Sequence, residues 1–189
     1  MVGLNNIFAE MAGSVAREVS FWEGFFHFSG TRYANFPIAE VASFVSKKPI
    51  TPDQLKLAIG AVCQRHEIWK HRIQPTKVGR YLWVPRTNTD FINVTEIEEG
   101  KDIYEEATAL ISTAEIVATI VSQCLLECLF KKLPDVNGEC SYQLATIHSH
   151  AIMDGRSYLQ FIHVHFILLE FLSFQSHYRP ISNRNYSRS

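Results

Sequence analysis

The tetrapeptide Thr51-Pro52-Asp53-Gln54 constrains the fold more than any other part of the chain, because it starts a helix at a defined residue. Thr51 suits the N-cap, Pro52 the first helical position, where its missing N–H costs nothing, and Gln54 completes a Thr-x-x-Gln capping box. Leu55, Ala58, Ile59 and Val62 then recur at helical spacing, which predicts a helix with one buried stripe running to His66. The flanking segments carry a different pattern. Asn35 to Val45 is apolar and β-branched enough for a strand. Ile68 to Gln74 and Arg80 to Pro85 read as the arms of a hairpin around Pro75-Thr76-Lys77-Val78-Gly79, and Phe91 to Thr95 adds a short strand. A helix set among strands points to the α/β or α+β class.

Further along, Ile103, Ala107, Leu110, Ala114, Val117, Val121, Cys124, Leu125 and Cys128 keep helical spacing, so Lys101 to Lys132 is expected to be one long helix or two broken ones. Pro134-Asp135-Val136-Asn137-Gly138 reads as a turn. Glu139 to Ile147 alternates as a strand, and a helix is expected to restart near Gly155 or Arg156 and run through Leu159, Ile162, Phe166 and Leu169. From Phe171 to Ser189 no period survives. The expected organisation is a lead-in over 1–20, one folded lobe over 21–170 and an irregular tail over 171–189.

With 47% hydrophobic and 20% charged residues, the 189-residue chain has the composition of an ordinary domain with a sizeable core. Its formal net charge of −1 argues against a general nucleic-acid binder, which needs an excess of lysine and arginine. Cys63, Cys124, Cys128 and Cys140 form no CxxC pair, which fits a reducing compartment better than a disulfide framework. Cys124 and Cys128, four apart on one expected helix face, read as core. Glu10 interrupts the apolar character of the first twenty residues, and Arg17 is their single basic residue, so no secretory signal is expected there. The apolar stretch from Ala107 to Phe130 carries Glu115, Gln123 and Glu127, which a bilayer would penalise.

The chemistry concentrates in Thr146-Ile147-His148-Ser149-His150-Ala151-Ile152-Met153-Asp154-Gly155-Arg156-Ser157. A strand ends on His150, an aspartate follows four residues on, and a glycine closes the turn. A histidine in the turn after a strand faces a cleft, and an ordinary imidazole titrates near about 6.5, where a general base is most useful. Asp154 is placed to hold the loop through backbone amides or an arginine, and Gly155 permits a backbone conformation that a side chain would obstruct. The structural alternative is a helix start capped by Asp154, with His150 packed beside it. A metal site through His148, His150 and Asp154 lacks a further ligand at convincing spacing, so no metal is expected.

His-x-x-x-Asp-Gly with its flanks resembles the superfamily built on the chloramphenicol acetyltransferase fold, which includes plant BAHD acyltransferases, peptide-synthetase condensation domains and fungal alcohol acetyltransferases. Glu23-Gly24-Phe25-Phe26 with Tyr33-Ala34-Asn35-Phe36 is similar to the opening of the fungal branch. So is the Asp-Gly-Arg-Ser continuation at 154–157. The helix from Thr51 to His66 followed by Ile68 to Ile73 is similar to the superfamily's first helix and strand. Condensation domains carry a second histidine just before the catalytic one; here that position is Ser149, which favours the acetyltransferase branches.

The resemblance implies a chloramphenicol acetyltransferase-like half in which 21–170 forms the N-terminal lobe, a mixed sheet flanked by helices. It implies an alcohol O-acetyltransferase, with His150 as general base, Asp154 as structural support and Gly155 as the motif turn. The donor would be acetyl-CoA, a co-substrate, and the acceptor a small alcohol; an amine acceptor shares the mechanism. Members are about twice as long, with the active site in a tunnel between two similar halves, so the chain is expected to match only the first half. A non-catalytic half that associates with a partner chain, or with itself through exposed apolar surface such as Phe161, Phe166, Phe171 and Phe174, is the competing expectation. The resembling enzymes imply an intracellular site, cytoplasmic or peripheral to the endoplasmic reticulum or lipid droplets.

Overall fold

The capping box forms as its residues require. In a computed structural model of the chain, which describes residues 17–33, 37–77, 80–86 and 90–153, the Thr51 hydroxyl accepts from the Gln54 amide and the Gln54 side chain accepts from the Thr51 amide. The chain-order elements are β1 (Arg17–Glu18), α1 (Phe21–Tyr33), β2 (Pro37–Ser46), α2 (Pro52–Arg65), β3 (His71–Pro75), β4 (Tyr81–Pro85), β5 (Ile92–Glu96), α3 (Ile103–Ser112), α4 (Ala114–Gln123), β6 (Leu126–Val136) and β7 (Glu139–Ser149). A 3-10 turn, Glu67–Lys70, joins α2 to β3 and takes up the start of the segment expected to be extended. A second capping box opens α1: the Ser20 amide donates to Glu23 Oε2, and the Glu23 amide to Ser20 Oγ. Burial pushes the Glu23 carboxyl up, but hydrogen bonds from Arg17 and Ser20 prevail and bring it to about 2.

Two sheets result, in the orders β1-β4-β3 and β2-β7-β6-β5. Within the larger one, β7 runs antiparallel to both β2 and β6, while β5 and β6 are parallel. Leu126, Cys128, Phe130, Tyr142 and Leu144 share one core with Leu55, Ala58, Ile59, Val62 and Cys63 of α2 and with Trp69 and Trp83. Leu129, Ala145 and Ile147 share another with Ile103 and Ala107 of α3 and Ile120 of α4. Helices therefore cover both faces of a mixed sheet, as the expected α/β (α+β) class requires.

The reading of Lys101 to Lys132 as helix holds only as far as Gln123. Cys124 takes a left-handed conformation (φ 50°) and ends α4, and Leu126–Val136 is an eleven-residue strand. Leu126, Cys128, Leu129 and Phe130 are buried on opposite faces of a central strand, and such a run carries no period that separates it from a buried helix. Cys124 and Cys128 do not share a helix face, although both are buried. Pro134, Asp135 and Val136 belong to β6, and the turn contracts to Asn137 and Gly138, both at positive φ. The helix expected from Gly155, the tail from Phe171, Asp154 and Gly155 lie outside the described residues. No helix among the described residues is long and apolar enough to cross a membrane.

Candidate functional site

β7 delivers His150 to the end of the sheet. The strand is clamped on both sides, with Ser149 opposite Pro37 of β2 and His148 opposite both Ile38 of β2 and Leu126 of β6. Its last residues are closed off: Thr146, Ile147 and His148 are each 0% exposed and Ser149 1%. The chain then turns. Ile152 N–H donates to the Ser149 carbonyl at 3.0 Å, and Ala151 N–H donates to Ser149 Oγ at 3.2 Å. Ala151, Ile152 and Met153 are buried behind the turn, leaving His150 half-buried between two closed segments. Ser149, the residue before His150, thus supplies a hydroxyl that shapes the turn.

The His150 ring lies flat on Phe26 of α1, with centroids 4.1 Å apart and planes 5° from parallel. Among the described residues, no hydrogen bond engages its ring nitrogens, so both in-plane edges remain available. His148 is the opposite case. Its Nδ1–H donates to the Ser149 carbonyl at 3.2 Å, and burial, with a smaller push from the neighbouring His150, brings its pKa down to about 4. At neutral pH His148 is an uncharged core residue, and His150 is the imidazole that reaches towards solvent.

Two features near this strand were not anticipated. Glu40 of β2 stands opposite Thr146, which stands opposite Cys128 of β6. Glu40 Oε2 and Thr146 Oγ1 are buried without a hydrogen-bond partner among the described residues, and burial pushes the Glu40 carboxyl up to about 7. The sequence carries no signal of this, since Glu40 is a single charged residue within a segment readable only as a strand.

Arg86 is the second. Its Nε–H donates to the Trp69 carbonyl at 3.0 Å, one terminal nitrogen to Gln123 O at 3.0 Å and the other to Cys124 O at 2.6 Å. The guanidinium also lies 4.4 Å from the centre of the Phe91 ring. It satisfies carbonyls at the C-terminal end of α4, where a cation is favoured by the helix dipole. Because Leu126 begins β6 two residues later and pairs with His148, Arg86 braces the strand that flanks the site.

The arrangement can support proton transfer at His150: an imidazole held at a strand end, with free nitrogens and apolar surroundings. Asp154 and Gly155 lie outside the described residues.

No family model matches the sequence, and no curated protein matches it. Solved structures do. The starter condensation domain of rhizomide synthetase RzmA superposes with a TM-score of 0.60 at 14% identity, over 82% of this chain and 39% of that one. The tallysomycin biosynthesis protein TlmII gives 0.58 at 14% identity, over 90% and 42%. A substituted form of the RzmA domain in complex with C8-CoA and Leu-SNAC gives 0.59 at 12% identity, over 88% and 37%. The chain thus has the fold of part of a condensation domain, the chloramphenicol acetyltransferase-like fold, and spans about two-fifths of the length of these structures.

Proposed function

We propose that the chain is the N-terminal lobe of an acyl-thioester-dependent acyltransferase, an alcohol O-acetyltransferase in which His150 is the general base. The observation that carries this reading is the position of His150: of two histidines at the end of β7, His148 is buried and neutral, whereas His150 is only half-buried, and among the described residues no hydrogen bond engages its ring nitrogens. A ring nitrogen of His150 takes the proton of the acceptor hydroxyl as its oxygen attacks the thioester carbonyl. The resulting tetrahedral adduct expels the CoA thiolate, which recovers that proton from the imidazolium, leaving an ester and free CoA. The sequence resemblance assigns Asp154 a supporting role in the loop and Gly155 the motif turn; both lie outside the described residues. A second lobe would supply the opposite wall and most of the orientation of the two substrates, which is worth many kcal/mol in such reactions, so this lobe by itself is expected to release CoA only slowly.

The complex of a similar fold with an acyl-CoA and an aminoacyl thioester supports acyl-CoA as the donor class, and equally supports an amine as acceptor in place of the alcohol. Acetyl is proposed from the sequence resemblance alone. An intracellular site, cytoplasmic or peripheral to the endoplasmic reticulum or lipid droplets, agrees with the four unpaired cysteines, three of them buried.

A non-catalytic half that associates with a partner is the second reading. It is favoured by α1, which exposes Phe21 (76%), Trp22 (65%), Phe25 (42%) and Phe28 (41%) on one short helix. The experiment that separates the readings is CoA release from acetyl-CoA, followed with a thiol reagent, using medium-chain and branched alcohols and then primary amines as acceptors. Acceptor-dependent release supports the enzyme. A folded chain that releases no CoA and forms a defined oligomer supports the second reading.

A further inference from the structure

We propose that Phe26 is a positioning residue for His150, fixing the plane of the imidazole so that its nitrogens stay available at the ring edge; the catalytic half of this inference rests on the function proposed above. The two residues lie far apart in sequence, and their contact is made by the docking of α1 against the end of β7. Of the phenylalanines in α1, Phe21, Phe25 and Phe28 are exposed, whereas Phe26 is half-buried and packs against the main core. The helix therefore turns this one ring inwards, onto His150.

The geometry suits positioning better than simple packing. A centroid distance of 4.1 Å with a 5° interplanar angle is a close parallel stack, below the usual 4.5–7 Å of aromatic pairs. Rotation about the Cβ–Cγ bond of histidine is otherwise broad. A phenyl face laid flat against the imidazole blocks that rotation, yet occupies neither nitrogen. Phe26 is in turn braced from its own helix, by Trp22 with centroids 6.4 Å away and by Phe25 at 5.6 Å in an edge-to-face contact. Trp22, Phe26 and His150 thus form a continuous aromatic path from the exposed surface of α1 to the candidate base.

The test compares the parent chain with F26L, F26Y and H150A. Histidine-labelled protein is followed by NMR, the His150 ring signals being identified as those missing from H150A. In the parent chain they should show the upfield displacement of protons above a phenyl face. F26L should lose that displacement while the other histidine signals stay in place, and F26Y should keep it. In the CoA-release assay F26L should lower kcat by roughly 10- to 100-fold, the cost of a reacting group displaced by about an ångström, with KM changed less than about twofold. F26Y should retain kcat within about threefold. A parent chain without the displaced signals, or F26L retaining them, overturns the stack. F26L with unchanged kcat, where H150A abolishes turnover, overturns the positioning role and leaves the proposed function intact. Turnover that survives H150A, or is absent from the parent, defeats the proposed function, and the NMR result alone then decides whether Phe26 orients His150.

Discussion

Replacing Arg86 by methionine removes a guanidinium that satisfies three backbone carbonyls while nearly filling its volume, so the change isolates polar loss from cavity formation. The three bonds, to Trp69, Gln123 and Cys124, are charge-assisted, and such bonds are worth about 1.5–3 kcal/mol each. Their sum is offset by the cost of burying the cation, several kcal/mol in a site where Arg86 is only 9% exposed. Desolvation is also what draws the Arg86 pKa below its ordinary value. Methionine avoids the desolvation cost but leaves three carbonyls unpaired, each costing about 1–3 kcal/mol. The net expectation is a loss of about 3–5 kcal/mol, a large part of the stability of an ordinary domain. Urea unfolding followed by the fluorescence of buried Trp69 and Trp83 measures it. With a urea dependence of about 2–3 kcal/mol per molar, the R86M midpoint should fall by about 1–2 M. Lysine keeps the charge but cannot reach three carbonyls in one plane, so R86K should recover less than half of the loss. An R86M midpoint within about 0.3 M of the parent, or R86K as stable as the parent, would refute this account of the bracing.

Three further outcomes are expected. Because burial raises the Glu40 carboxyl to about 7, the folded chain holds a proton that the unfolded chain releases above the ordinary value of 4.5; stability should fall between those pH values, and E40Q, measured by urea unfolding at pH 5 and pH 8, should gain on the parent only at the higher one. His148, lowered by burial from 6.5 to about 4, takes up its proton on unfolding within that window; stability should decline as pH falls through it, and H148Q should show a shallower decline in a stability-against-pH series, an equal slope counting against a neutral buried imidazole. Thr51→Ala should lower stability by about 1 kcal/mol through loss of the cap, and Thr51→Ser should keep it, as read from thermal or urea unfolding.

How much the sequence discloses depends on whether the information is local. The α2 capping box, the β3–β4 hairpin and the strand leading to His150 are readable because caps, turns and alternation act over a few residues. β6 is not, since a strand buried on both faces has the same composition as a buried helix, and the left-handed Cys124 that ends α4 is not a glycine or asparagine. Arg86 gives no local sign of its role, because the carbonyls it satisfies come from positions 69, 123 and 124 and meet only in the folded chain. His150 is visible as a motif residue, whereas its partner Phe26 reads only as one aromatic among several on α1.

The most direct measurement of the central claim is CoA release from acetyl-CoA by the purified chain and its His150→Ala variant, run in parallel with alcohol acceptors and with blanks for protein thiols. The account predicts acceptor-dependent release by the parent and its loss in a variant that remains folded by circular dichroism. Equal release by the two proteins would contradict it, because no other imidazole at the end of β7 is exposed to take the proton.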